Sequence, residues 1–171
     1  MRAFVKSGLA VMAVAFFAVS SASGAENLPA PQGPVILTVS GHIANTTDGE
    51  TAKFDRSLLE GLGVTRITTD TPWYDEAVTF EGVLARRLLD YVGADGKTVV
   101  ATALNQYSAE IPLSDFQDKG VLLALKVNGE YLAIRDKGPI FIIYPFNQNE
   151  TLRNETYFAR SVWQVKDLKI K

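Results

Sequence analysis

Val121–Pro145 reads VLLALKVNGEYLAIRDKGPIFIIYP, and its pattern decides the fold class. Asn128-Gly129 separates two apolar runs. A two-residue Asn-Gly connection is the strongest short-range hairpin signal, because both central residues must take positive φ. Lys137-Gly138-Pro139 predicts a further turn, and Ile140–Tyr144 a third strand. That run carries no charge, and its only polar side-chain atom is the Tyr144 hydroxyl, so both its faces are expected to be buried.

The flanking segments extend this β-rich core. Downstream, Phe146–Glu155 is polar, holds three asparagines and reads as a long loop of the kind that often carries function. Tyr157–Ile170 returns to alternation. Trp163 and Val165 share one parity, Leu168 and Ile170 the other. The slip predicts a last strand with a bulge near Lys166-Asp167. Upstream, Thr98–Leu104 and Tyr107–Ile111 read as strands around an Asn105-Gln106 turn, and Ser114 is expected to N-cap a helical turn through Gln117. Leu84, Leu88, Tyr91 and Val92 recur at helical spacing, with Arg86, Arg87 and Asp90 facing away. They predict a helix from about Gly82 to a Gly93 cap. Val78–Phe80 reads as a brief strand, Val64–Thr69 as a β-branched strand and Thr71–Ala77 as the loop between them. Asp55 offers an N-cap to a short helix with Leu58, Leu59 and Leu62 on one face. Ala44–Thr51 reads as a loop and Val35–Val39 as the first strand. Many strands with two or three short helices predict an α+β domain with a mixed or antiparallel sheet core.

The first 25 residues read differently. Arg2 and Lys6 precede an uncharged apolar run from Leu9 to Val19, and Ser23-Gly24-Ala25 supplies small residues at a cleavage site. This is the pattern of a secretory signal peptide, too short in its apolar run to span a bilayer comfortably. Cleavage would leave 146 residues: a flexible, Pro-containing lead-in over 26–34 and one domain over 35–171. The expected location is periplasmic or secreted, with no membrane insertion after cleavage. Net charge is −2 with no basic patch, which argues against a nucleic-acid partner. There is no cysteine, hence no disulfide, thiol nucleophile or thiolate ligand. The single histidine, His42, excludes multi-His metal sites. His42 closes the first strand and is a candidate for anion binding, metal binding or proton transfer, against the plainer reading of a hydrogen-bonded surface histidine. No metal ligand set is expected.

The ordered run QYSAEIPLSDF, VLLALKVNGEYL, KGPIFIIYP and SVWQVKDLKI, preceded by FEGVLARRLLDYVG, resembles the sulfite-oxidase-type molybdopterin-binding oxidoreductase domain over about Val35–Ile170. The resemblance implies that fold and raises a molybdopterin cofactor as an expectation. In catalytic members a cysteine just before the Phe-x-Gly-Val motif ligates molybdenum. Here that segment is RITTDTPWYDEAVTF. A threonine hydroxyl cannot replace a soft thiolate, its pKa being far too high. Val162 stands before Trp163 where the family tends to place lysine, and Pro145-Phe146 where it places Pro-Gly.

By position in the family, Thr69, Asp70, Trp73 and Tyr74 fall on the metal-ligand loop. An aromatic pair beside a carboxylate there is a candidate ligand pocket; the plainer reading is that Trp73 and Tyr74 cover the core edge. The resemblance also brings Asn105, Tyr107, Arg153 and Arg160 toward one cleft. The arginines would suit a carboxylate or phosphate, while the plainer reading of Arg153 is a solvated loop charge. The first functional expectation is an exported module that binds a small anionic ligand, or a partner such as a membrane sensor's outer domain, without molybdenum catalysis and with no cofactor. The second is an oxidoreductase that retains molybdopterin without a cysteine ligand. The third is a structural subunit of a periplasmic complex.

Overall fold

The structure, a computed structural model, describes residues 26–171. The signal-peptide segment lies outside the described residues. In chain order the elements are β1 (Leu37–Gly41), β2 (Ala52–Phe54), α1 (Arg56–Gly61), β3 (Val64–Thr69), β4 (Val78–Leu84), α2 (Ala85–Val92), β5 (Thr98–Ala103), β6 (Ser108–Pro112), α3 (Leu113–Asp118), β7 (Leu122–Val127), β8 (Glu130–Tyr131), β9 (Phe141–Ile143), α4 (Glu155–Arg160) and β10 (Val165–Ile170). Short 3-10 turns cover Ile134–Asp136 and Glu150–Leu152.

These strands form two sheets. One runs β2-β1-β10-β5-β6, antiparallel except for the parallel β1–β10 pair. The other runs β3-β4-β7-β8, with β9 also on β7, and is antiparallel throughout. The α+β class expected from sequence holds, with four short helices rather than two or three.

The opening stretch behaves as read. Asn128 and Gly129 take φ of 48° and 86°, the positive pair that the two-residue turn needs. Ile140–Tyr144 is fully buried on both faces. One feature was not legible. Leu132 N donates to Leu125 O at 2.9 Å, and Phe141 then pairs with Ala124. β8 and β9 therefore occupy a single column beside β7, and residues 133–140 loop out of it. That loop docks on the approach to β10. Gln164 N donates to Lys137 O at 3.0 Å, and Val165 N to Ile140 O at 3.0 Å. The Gln164 side chain donates to Ile134 O at 2.7 Å. Trp163 is the residue just before these bonded positions.

Several boundaries differ from expectation. Ala52–Phe54 is a strand, its length below what alternation can reveal. The segment from Gly82 does not begin a helix but continues β4 to Leu84. Gly82 lies where β7 comes so near that a Cβ would clash with Leu123 O, and the β4–β7 register shifts between Glu81 and Gly82. The glycine marks close backbone approach inside a strand. Ser114 lies inside α3, whose N-cap position is Pro112 and has no side-chain cap. Asp55 does cap α1, accepting from Leu58 N at 2.8 Å.

The largest difference is at Glu155–Arg160. The long loop and alternating segment expected there contain a helix, α4. Asn154 caps it by accepting from Thr156 N at 3.0 Å and Tyr157 N at 3.4 Å, and Asn149 caps the preceding 3-10 turn through Thr151 N at 3.0 Å. Two of the three asparagines that read as loop polarity, Asn149 and Asn154, are helix caps. Trp163 precedes β10 rather than lying in it. The bulge near Lys166-Asp167 is present, as a register shift between Val165 and Asp167.

Candidate functional site

Two buried apolar clusters fill the molecule, one between the sheets and helices, the other around Phe80, Leu122 and Phe141. Trp73, on the β3–β4 connection, packs against both. Its ring meets Phe141 at a centroid separation of 5.2 Å, Phe158 and Trp163 at 6.0 Å each, and Phe146 at 6.4 Å. The core-cover and pocket-wall readings of Trp73 both apply, because the same ring lines a cleft.

That cleft has a volume of about 470 Å³. Its walls come from four places: Pro72 and Trp73; Asn105 and Tyr107 at the β5–β6 turn; Glu155, Phe158 and Ala159 of α4; and Ser161–Trp163. The turn is braced internally, Asn105 Oδ1 accepting from Tyr107 N at 3.0 Å. It is tied to α4 by the Tyr107 hydroxyl, which donates to Ala159 O at 3.0 Å. Trp163 is 38% exposed and Tyr107 48% exposed, large apolar surfaces left to solvent at the cleft. Both tryptophans of the chain line this one site.

The other candidates fall elsewhere. Thr69 is fully buried. Its hydroxyl accepts from Asn147 N at 3.1 Å and lies 3.3 Å from the Asn147 amide oxygen, to which it can donate. That amide oxygen also accepts from Asp70 N at 3.2 Å and from Arg153 Nη1 at 3.0 Å. Arg153 lies 3.8 Å from the Asp70 carboxylate. Thr69, Asp70 and Arg153 thus meet one another around Asn147, and none of them lines the cleft.

Arg160 does not line it either. Its Nη1 donates to Asp115 Oδ2 at 2.9 Å, and the Tyr144 hydroxyl donates to the same oxygen at 3.0 Å. Burial, and then the charge of Asp115, push the Tyr144 hydroxyl far above the usual phenol range, so it stays a donor. The expectation of an anion-binding Arg160 meets a physical obstacle: Asp115 is buried on α3 and already takes this guanidinium as counter-charge. The contact also fastens the C-terminal end of α4 to α3.

His42 is remote. Gly41 pairs with Ile170 and Ile170 with Val99. The cleft lies at Ala103 and beyond Val165, the opposite ends of β5 and β10. Tyr74 stacks edge-on against Phe80 at 5.8 Å and does not line the cleft. Of the residues singled out from the sequence, Trp73, Asn105 and Tyr107 line the cleft. Glu155, Phe158 and Trp163 line it too and were not singled out for it. The signal that could have found the first two was Asn154 as an N-cap followed by an acidic first-turn residue.

The donor set bears on a molybdenum cofactor. Among the described residues no three His, Asp or Glu side chains cluster to hold a metal, and no cysteine exists in the chain. The threonine ending β3 is buried, with its hydroxyl bonded to Asn147. No lysine or arginine lines the cleft to meet a cofactor phosphate. These residues do not fit a thiolate-ligated molybdenum centre with a bound pterin phosphate.

A comparison with curated proteins finds no match. The model of the oxidoreductase molybdopterin binding domain matches residues 52–148, from β2 to just past β9. The matched span holds Pro72, Trp73, Asn105 and Tyr107, and the α4 and Trp163 walls follow it. With more than half of its length matched, on an α+β fold of two mostly antiparallel sheets, the chain belongs to the oxidoreductase molybdopterin-binding domain family.

Proposed function

We propose that this domain is an exported binding module of the cell envelope that uses its aromatic cleft for a small ligand and performs no molybdenum redox chemistry. The supporting observation is the pairing of an open cleft of about 470 Å³, lined by both tryptophans, with a donor set that lacks a thiolate. A pocket with apolar walls and a few polar groups is what small-ligand recognition requires. A role in signalling to a membrane sensor protein is the functional setting that fits a soluble, ligand-responsive domain of this kind, and rests on fold-level analogy.

The family match over residues 52–148 favours a second reading, an oxidoreductase that retains molybdopterin without a cysteine ligand. One preparation separates the two. Protein purified from its own host is assayed for molybdenum and for pterin absorbance. It is then titrated with a panel of small neutral and charged molecules, read by tryptophan fluorescence and thermal shift. The binding-module reading expects far less than one molybdenum per chain and a saturable response to at least one small molecule. Stoichiometric molybdenum overturns it.

A further inference from the structure

The lining of the cleft also indicates a class of ligand, an inference that rests on the binding reading above. Trp73, Tyr107, Phe158 and Trp163 supply four aromatic walls. Trp73 stands nearly perpendicular to both Phe158 and Trp163, at 81° and 80°. Rings set edge to face bound a corner instead of forming a stack. An aromatic face carries negative quadrupole charge. The one charged residue in the lining is Glu155, on the first turn of α4, and no lysine or arginine joins it. Among the described residues no cation pairs with Glu155; the nearby arginines are turned to other partners, Arg160 to Asp115 and Arg153 to Asn147 and Asp70.

The unpaired carboxylate repels an anion and attracts a cation, and a cation gains further attraction from the face of any of the four rings it meets. The walls are apolar, so the cation that enters most readily is weakly hydrated, with its charge spread over carbon. We propose that the cleft binds a small organic cation of the quaternary-ammonium class. Its head would lie against Trp73 and Trp163, and Glu155 would supply the counter-charge.

The test is a titration of the purified protein at constant ionic strength with choline chloride and, in parallel, 3,3-dimethylbutan-1-ol, the uncharged carbon isostere of choline. Both tryptophans report on the cleft, so intrinsic fluorescence is the readout. Choline is expected to bind about tenfold or more tightly than the isostere, the range that cation–π attraction in a partly dry site supplies. Glu155→Gln, an exposed change that leaves the fold intact, is expected to weaken choline several-fold and leave the isostere unaltered. Trp163→Ala is expected to weaken choline by about tenfold or more.

Equal affinity for the two probes would overturn the cation class while leaving a small-ligand cleft in place. A response to neutral molecules of the wider panel with none to choline would do the same. Silence of choline, the isostere and the whole panel would overturn both the class and the cleft reading.

Discussion

Thr69 and Trp73 sit on one short connection, at the end of β3 and just beyond it, yet they meet opposite fates. The Thr69 hydroxyl is closed in by Asn147, which also engages Asp70 and Arg153. Trp73 faces a cleft whose other aromatic walls are partly open to solvent. The buried Thr69 hydroxyl has its partner, as burial demands, and the more exposed Asp70 and Arg153 meet the same asparagine. Around the cleft, aromatic surface and a carboxylate are left unanswered. The contrast teaches where to look for function in this fold: at the side chains the fold leaves without partners rather than at the position nearest the family's metal loop.

If α4 is held as a cleft wall by its polar tie to α3, breaking that tie should have the largest effect. Asp115→Ala removes the one carboxylate that receives both Arg160 and the buried Tyr144 hydroxyl. An uncompensated charge and an unpaired hydroxyl are expected to cost about 3 kcal/mol in urea unfolding. A loss below about 1 kcal/mol would mean that the tie does not hold α4.

The two tryptophans sharpen the comparison next. Trp73 touches four aromatic rings and both apolar clusters, whereas Trp163 touches Trp73 and Phe141 and is 38% exposed. Trp73→Ala should cost about 3 kcal/mol and Trp163→Ala about 1 kcal/mol. Equal losses in chemical denaturation would show that Trp163 is core and not an open wall.

Much of this arrangement was legible in the chain. Asn128-Gly129 can form only a few turns, and the uncharged run at Ile140 needs burial on both sides, so the central strands followed from local rules. The parity slip at Asp167 exposed the bulge because a strand's period is fixed at two. What stayed hidden depended on distant partners. Gly82 looks like a helix start until β7 is laid against it. The loop-out of residues 133–140 from a single strand column is visible only once β7 supplies the column. Arg160 reads as a ligand-binding cation in isolation, since nothing local announces Asp115, which is 45 residues away in the chain. The cleft was half legible for the same reason: Trp73 and Tyr107 stood out as aromatics, but Phe158 required the helix that Asn154 caps.

A polar tie that does not line the cleft provides the control. Asp55 accepts from Leu58 N, Gly33 N and Gln32 N and from the Ser57 hydroxyl. The Leu58 and Gly33 bonds, followed by the Ser57 bond, hold its carboxyl well below the usual carboxylate range. A depressed folded-state pKa gives stability above the unfolded value of about 4, and that stability is lost as pH falls through the folded value. Asp55→Ala should therefore lower Tm at pH 7, with the gap from wild type narrowing below about pH 4. Ligand-induced fluorescence change at pH 7 should be unaltered. A gap that widens in acid would reverse the sign and remove the carboxylate form as its cause.

The smallest effect tests the closed side of the comparison directly. Thr69→Val keeps the shape and deletes the hydroxyl, leaving Asn147 N without its acceptor, and should cost about 1 kcal/mol. Thr69→Cys adds a reporter that nothing else in this cysteine-free chain can confuse. If the position is as closed as its full burial implies, a water-soluble thiol reagent should label it only as fast as the protein opens. Trp163→Cys, at the open wall, should react at the rate of an exposed thiol. Comparable labelling rates at the two positions would dissolve the distinction between a buried Thr69 and an open cleft wall.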